Sequence, residues 1–262
     1  MRPYLEHPGP WLVAHRGGSL VAPENTFAAF DLAASLGADA IETDVRLTCD
    51  RAVVVFHDDD TVRLLGVPGT IEELPRDELL RLDAGAHFTP DGKNHPFRGQ
   101  GLTVPTLAEA LHRYPHMRFN LDAKTEDPEL ARALSEVVTL ARAEDRVCVG
   151  SFSDAQAERL GVLLPRCARF LPEKAARCHF LAARTRVPGS RCPSGYDLAD
   201  LPSSLEGTRV VDGELLAYFH RLGIPVHVWT VDDEVEMREL IALGVDGIVT
   251  DRPDVLRQVL GH

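Results

Sequence analysis

Short apolar runs alternate with helical ones along most of the chain, and this alternation limits the fold more than any other feature. Strand-like runs fall at 11–14, 39–47, 52–56, 117–122, 147–150, 168–171, 209–211, 225–229 and 247–250. Several are apolar throughout, as strands covered on both faces are. Helical signals lie between them. Thr106-Leu-Ala-Glu109 and Ser153-Asp-Ala-Gln156 read as capping boxes, and Asp127-Pro128 as a cap with proline at the first helical position. Gly37, Gly223 and Gly244 stand where helices should stop. Strand–helix alternation implies a parallel sheet. Only Thr48–Arg51 separates the second run from the third, with about two residues, Asp50-Arg51, as the turn, too few for a parallel crossover. A two-residue hairpin there sets Cys49 opposite Ala52 and Asp44 opposite His57. The third run is then a flap, and the other eight close a TIM (β/α)8 barrel. A chain of 262 residues matches one such barrel, a single domain over 1–262 with an insertion at about 60–104. The stretch 172–207 is turn-rich in the same way as that insertion.

Composition narrows the partners. With 28 basic and 40 acidic residues the net charge is −12, which disfavours nucleic acid and anionic membrane surfaces. No run of 18 apolar residues suggests membrane insertion, and the opening stretch does not read as a cleaved leader. The five cysteines, Cys49, Cys148, Cys167, Cys178 and Cys192, are odd in number and lack a CxxC pair. They predict reduced thiols and a cytoplasmic location.

Polar residues gather where the runs end. His15-Arg16-Gly17-Gly18 closes the first run, the end of a barrel strand where function sits. The glycines would let a ligand approach the backbone, His15 can move protons, and Arg16 can clamp an anionic oxygen. Glu42 and Asp44 share one face of the second run, and oxygen-only ligands suit Mg²⁺ or Ca²⁺. A polar pair bound to Arg or Lys explains the same pattern. Asn120, Asp122 and Lys124 share a face in the fourth run. Asp122 would complete a metal site and Lys124 would balance a phosphate; an internal Asp–Lys pair is the competing reading. His57-Asp58 ends the flap, and two histidines flanking such a site suit general acid–base cleavage of a phosphoester. Trp229 ends a later run as a hydrophobic wall or as packing. His227 lies deeper on the same face and reads as structural. The other histidines, His262 among them, read as surface or packing residues.

Taken in order, VAHRGG (13–18), PENTFAAF (23–30), GADAIETDVRLTCD (37–50), VVVFHD (53–58), VPTLAEAL (104–111), FNLDAK (119–124), SFSDAQ (151–156), VHVWTVDD (226–233) and GVDGIVTDRPD (244–254) resemble the glycerophosphodiester phosphodiesterase family over essentially the whole chain. The resemblance implies a TIM barrel that uses a divalent cation, Mg²⁺ or Ca²⁺ with Mn²⁺ also allowed. It would hydrolyse small-molecule phosphodiesters to an alcohol and glycerol 3-phosphate. It implies that His15 and His57 are the acid–base pair and that Glu42, Asp44 and Asp122 are metal ligands. Arg16 and Lys124 become phosphate contacts, with Trp229 near the glycerol side. The family usually has Glu at the position of Asp122, often Asp-Gly at the hairpin turn, and often Arg-Thr-Thr where this chain has Arg63-Leu64-Leu65. Two other readings stay open: lysophospholipase D chemistry, with Phe88, Phe97 and Leu102 lining an acyl groove, and a barrel that binds metal or phosphodiester without turnover.

Overall fold

The computed structural model describes residues 2–185, 191–205 and 207–261. Residues 186–190 and 206 of the turn-rich 172–207 stretch, together with Met1 and His262, lie outside them. Eight parallel strands follow one another around a barrel: β1 (Trp11–His15), β2 (Ala40–Leu47), β4 (Arg118–Ala123), β5 (Val147–Gly150), β6 (Ala168–Arg169), β7 (Ala199–Pro202), β10 (Val226–Trp229) and β11 (Gly247–Thr250). β11 pairs back onto β1. A parallel bridge between Phe170 and Leu198 closes the remaining gap. Helices wrap the outside, and the large apolar layer between them and the strands contains Leu12, Phe30, Ile41, Phe119 and Phe219.

The local signals hold with one exception. Thr106 and Glu109 form the reciprocal capping box, and Asp127 caps a helix that opens on Pro128. Ser153 accepts from the Gln156 amide, but the Gln156 side chain donates to the Asp127 carbonyl at 3.0 Å instead of closing a box.

Two expectations about strands need correction. The run at 209–211 is not a barrel strand; Ala199–Pro202 takes that place. β8 (Ser204–Leu205) and β9 (Thr208–Arg209) form a separate exposed hairpin. The true strand was hidden because Pro202 and Asp200 interrupt its apolar pattern, and proline argues against a strand. The flap, β3 (Val53–Val55), pairs antiparallel with β2 as expected, but the register is Val45 with Val55 and Arg46 with Val54. That is one residue from the predicted pairing. The Phe56 amide donates to the Asp44 carbonyl, so Phe56, not His57, stands opposite Asp44. The loop is three residues long, because Arg51 adopts φ +69° and the Thr48 amide donates to the Ala52 carbonyl. The flap and the segment after it carry their own small core of Val54, Phe56, Leu65, Ile71 and Leu79.

The cysteine expectation also changes. Cys178 and Cys192 form a disulfide with Cα atoms 5.6 Å apart, while Cys49, Cys148 and Cys167 are free. The pairing depends on how the chain after the helix Glu173–Thr185 folds back, which spacing does not reveal. With one pair oxidised, the cysteine count no longer argues for a reducing compartment. Among the described residues no helix is long and apolar enough to cross a membrane.

Candidate active site

The inward faces of β1, β2 and β4 bring the predicted residues together. In the parallel register His15 lies beside Glu42, Glu42 beside Asn120, and Asp44 beside Asp122. Alternate residues of a strand share a face. His15, Glu42, Asp44 and Asp122 therefore converge at the carboxyl end of the barrel, and Lys124 follows just beyond its strand.

The two histidines are held alike. His15 Nδ1 donates to Asp251 Oδ1 at 2.7 Å, and His57 Nδ1 donates to Asp58 Oδ1 at 2.8 Å. An ionised carboxylate can only accept, so each Nδ1 carries the proton and each Nε2 is left for chemistry. His15 Nε2 lies 3.8 Å from Glu42 Oε2. Burial would lower the His15 pKa, but the Asp251 hydrogen bond and the Glu42 charge raise it above the ordinary value. Burial opposes the charge on Asp58, yet hydrogen bonds from Arg63 and His57 hold its carboxyl at about 2.

The carboxylates are deeply buried. Burial and then Asp44 push Glu42 up to about 8. Burial would also raise Asp44, but Lys124 and Arg16 hold it below its usual value. Burial keeps Asp122 raised despite Lys124. The Lys124 ammonium bridges Asp44 Oδ1 and Asp122 Oδ2, each at 2.8 Å. The Asp–Lys pair offered by the sequence as a competing reading is therefore present. Whether a cation fits as well is a question of donors. Glu42 Oε2 and Asp122 Oδ1 are buried without any hydrogen-bond partner, an arrangement that costs free energy unless a cation or water meets it. The donors are all carboxylate oxygens, so the residues fit a hard divalent ion. As the side chains stand, no three His, Cys, Asp or Glu groups among the described residues are disposed to hold one; Lys124 supplies the positive charge.

Arg16 does not point freely outward. It adopts φ +51°, donates from Nη1 to Glu24 Oε1 at 2.8 Å, and places Nε 3.4 Å from Asp44 Oδ2. A non-glycine residue in the left-handed region costs free energy and is common at functional sites. The two glycines after it are required by the packing of the fold itself. Gly17 and Gly18 have φ +85° and +109°, and a Cβ would strike Ala29 at 2.7 Å and Pro253 at 2.8 Å. They let the chain pack closely against its own helices. Trp229 is half-buried and meets Phe152 edge-on, with ring centres 5.9 Å apart. Phe88 and Phe97 pack edge-to-face against each other at 5.4 Å, and Phe97 also packs onto the outer apolar layer.

Sequence reasoning missed four contributors. Asp251 follows the last barrel strand, and its position at a strand end was a usable signal. Asp200 accepts from Asn120 Nδ2 at 2.7 Å, and burial pushes it up to about 7; it was lost with its strand. Glu24 and Arg63 carry no local signal, because their role depends on the flap folding back over β1.

The sequence model of the Glycerophosphoryl diester phosphodiesterase family matches residues 15–255. A Mycobacterium tuberculosis protein named probable glycerophosphodiester phosphodiesterase 2 is 34% identical over 261 residues, covering 98% of this chain and 93% of that one. A glycerophosphodiester phosphodiesterase of Caldanaerobacter subterraneus subsp. tengcongensis is 30% identical, covering 94% and 95%. Among solved structures, an Oleispira antarctica phosphodiesterase in complex with the product sn-glycerol-3-phosphate superposes with a TM-score of 0.78 at 28% identity, covering 97% of each chain. A Mycobacterium tuberculosis glycerophosphoryl diester phosphodiesterase domain shares the fold with a TM-score of 0.86 at 22% identity, covering 97% of this chain and 99% of that one.

Proposed function

The chain belongs to the glycerophosphoryl diester phosphodiesterase family, and on that premise we propose that it hydrolyses small glycerophosphodiesters to an alcohol and glycerol 3-phosphate, with His15 and His57 as the proton-transfer pair. The observation that carries this reading is the matched setting of the two imidazoles. Each has Nδ1 locked on a carboxylate, Asp251 or Asp58, and keeps Nε2 for the reaction. One histidine takes the proton of the attacking hydroxyl or water. The other delivers a proton to the departing alkoxide oxygen. The raised pKa of His15 keeps it protonated to higher pH than an isolated imidazole.

Glu42, Asp44 and Asp122 are the residues that would hold a divalent cation. When bound, it supplies Lewis-acid stabilisation of the charge on the phosphate. Lys124 balances Asp44 and Asp122 in the structure. When those oxygens are otherwise committed, its ammonium is available to the anionic diester. Arg16 presents a second cation at the end of β1, and Trp229 with Phe152 forms an aromatic wall at the mouth. We read the whole chain, 1–262, as one unit, with the segment after the flap as an insertion that covers one side of the barrel.

Hydrolysis of a panel of glycerophosphodiesters, with chelator and then with Mg²⁺, Ca²⁺ or Mn²⁺ restored, tests the reading. Activity lost in chelator and regained with a cation is the expected result. Undiminished turnover in chelator refutes the three-carboxylate site. Near wild-type turnover of His15→Ala or His57→Ala refutes the proton-transfer pair.

A further inference from the structure

One guanidinium joins the flap to the barrel. Arg63 lies on the short helix Val62–Leu65 that follows the flap. It donates from Nε and Nη2 to the two oxygens of Asp58 at 2.6 and 2.8 Å. It also donates from Nη1 and Nη2 to the two oxygens of Glu24 at 2.7 and 2.9 Å. Both forks are bidentate, a geometry that only arginine provides. Each carboxylate has a second client. Asp58 accepts from His57 Nδ1, and Glu24 accepts from Arg16 Nη1. Arg63 is thus the common member of two arms, one ending at the flap histidine and the other at the arginine beside Asp44.

A simple surface ion pair would not look like this. Exposed pairs are weak because water competes and the side chains wander; here Arg63 is 51% exposed, but both carboxylates it grips, Glu24 and Asp58, are 8% and 19% exposed and hold it by two forks. Nor is Arg63 needed to hold the flap backbone in place. Arg46, which is buried, does that by donating from Nε and Nη2 to the His57 carbonyl and from Nη1 to Glu72. The flap core of Val54, Phe56 and Ile71 supports it as well. The hydrogen bonds of Arg63 all go to side-chain oxygens, those of Asp58 and Glu24.

We propose that Arg63 is a positioning residue for the hydrolysis: by clamping Asp58 and Glu24 together, it fixes the tautomer of His57 and the aim of Arg16, and so couples proton transfer on the flap to anion binding on the barrel. The proposal rests on the reading of His57 and Arg16 given above. Losing Arg63 frees Asp58 to rotate away from His57 and leaves Glu24 wholly to Arg16, which draws that guanidinium from the mouth.

Two measurements on the full chain test it. The first is nitrogen NMR of the His57 ring, which shows which nitrogen carries the proton whether or not the protein turns over substrate. The Nδ1-protonated form should dominate in the wild type and give way to a tautomer mixture in Arg63→Ala. The second is steady-state hydrolysis, in which Arg63→Ala should lower kcat about 10- to 100-fold, the range a small misplacement of a reacting group produces, and also raise KM. Arg63→Lys, which keeps the charge but loses both forks, should recover KM more than kcat. An unchanged His57 tautomer in Arg63→Ala overturns the proposal whatever happens to kcat. Full recovery of kcat in Arg63→Lys also overturns it, because charge alone would then suffice. Absence of diesterase activity in the wild type would sink the hydrolysis reading, and the NMR result would still decide what Arg63 does to His57.

Discussion

At the floor of the barrel the interior is filled by Tyr4, Trp11, Val13, Cys148 and Ala168, packed as one apolar cluster. A few residues further along the same strands it is filled by His15, Glu42, Asp44, Asp122 and Lys124. Trp11, Val13 and His15 are successive inward positions on a single strand, so the change occurs within one element. The floor is filled by apolar packing, and the atoms left unpartnered there, Tyr4 Oη and His227 Nδ1, belong to neutral groups: the 3-10 helix Pro3–Leu5 sets Tyr4 beneath the strands, its ring 5.4 Å from Trp11. The mouth leaves carboxylate oxygens unpartnered and its backbone strained. Arg16 holds a left-handed backbone, and Glu42 and Asp122 retain unpartnered oxygens. A well-packed end allows the other end to keep strain and unpaired charge, which natural proteins confine to functional sites.

The contrast predicts that activity and stability separate along the barrel axis. The largest effect belongs to the mouth. His15→Ala and His57→Ala should each cost about 10²- to 10⁴-fold in kcat, the usual worth of a general acid or base, while calorimetry shows little change in unfolding temperature. A large drop in stability in both variants would break the division. Next comes the floor. Trp11→Ala should cost about 3–5 kcal/mol in urea unfolding through the cavity it leaves, yet kcat of the folded fraction should stay near the wild-type value.

His227 offers a smaller effect with a defined pH window. It is buried beside Trp11, and burial pushes its pKa down to about 4. The unfolded chain takes up this proton near pH 6.5 and the folded one does not until about pH 4. The neutral ring therefore costs no stability above pH 6.5. As the pH falls through that window, stability drops by about 1.4 kcal/mol per unit, on the order of 3 kcal/mol in all. Subtracting the pH profile of His227→Asn from that of the wild type should isolate this slope. A flat difference would show that the floor admits water. The smallest effect is a control outside both ends. Thr106 caps the helix Leu107–Arg113, and Thr106→Ala should cost about 1 kcal/mol in unfolding with kcat unchanged.

The helix caps at Thr106 and Asp127, the glycine stops, and most strand runs were legible because each depends on neighbours within a few residues. The inward faces of β2 and β4 were legible for the same reason, since a period of two assigns Glu42, Asp44, Asn120 and Asp122 to one side. Failures began where the answer needed distant contacts. Arg51 entering the left-handed region made the flap loop one residue longer and shifted its register. Pro202 hid a barrel strand, and Asp200 with it. The close packing of Gly17 and Gly18 against the helix Phe27–Ser35 and Pro253 was likewise hidden, because those neighbours are distant in the chain.

The sequence by itself determined the alternation, seven of the eight barrel strands and the polar residues on the inward faces of β1, β2 and β4, because backbone periodicity and turn chemistry are local. Only the tertiary structure decided which partner each charge takes. Asp251 reaches His15 across 236 residues, Arg63 meets Glu24 across 39, and Lys124 settles between Asp44 and Asp122. Those choices follow from burial, which makes an unpaired charge costly enough to select the nearest opposite charge in space, however far away it lies in the chain.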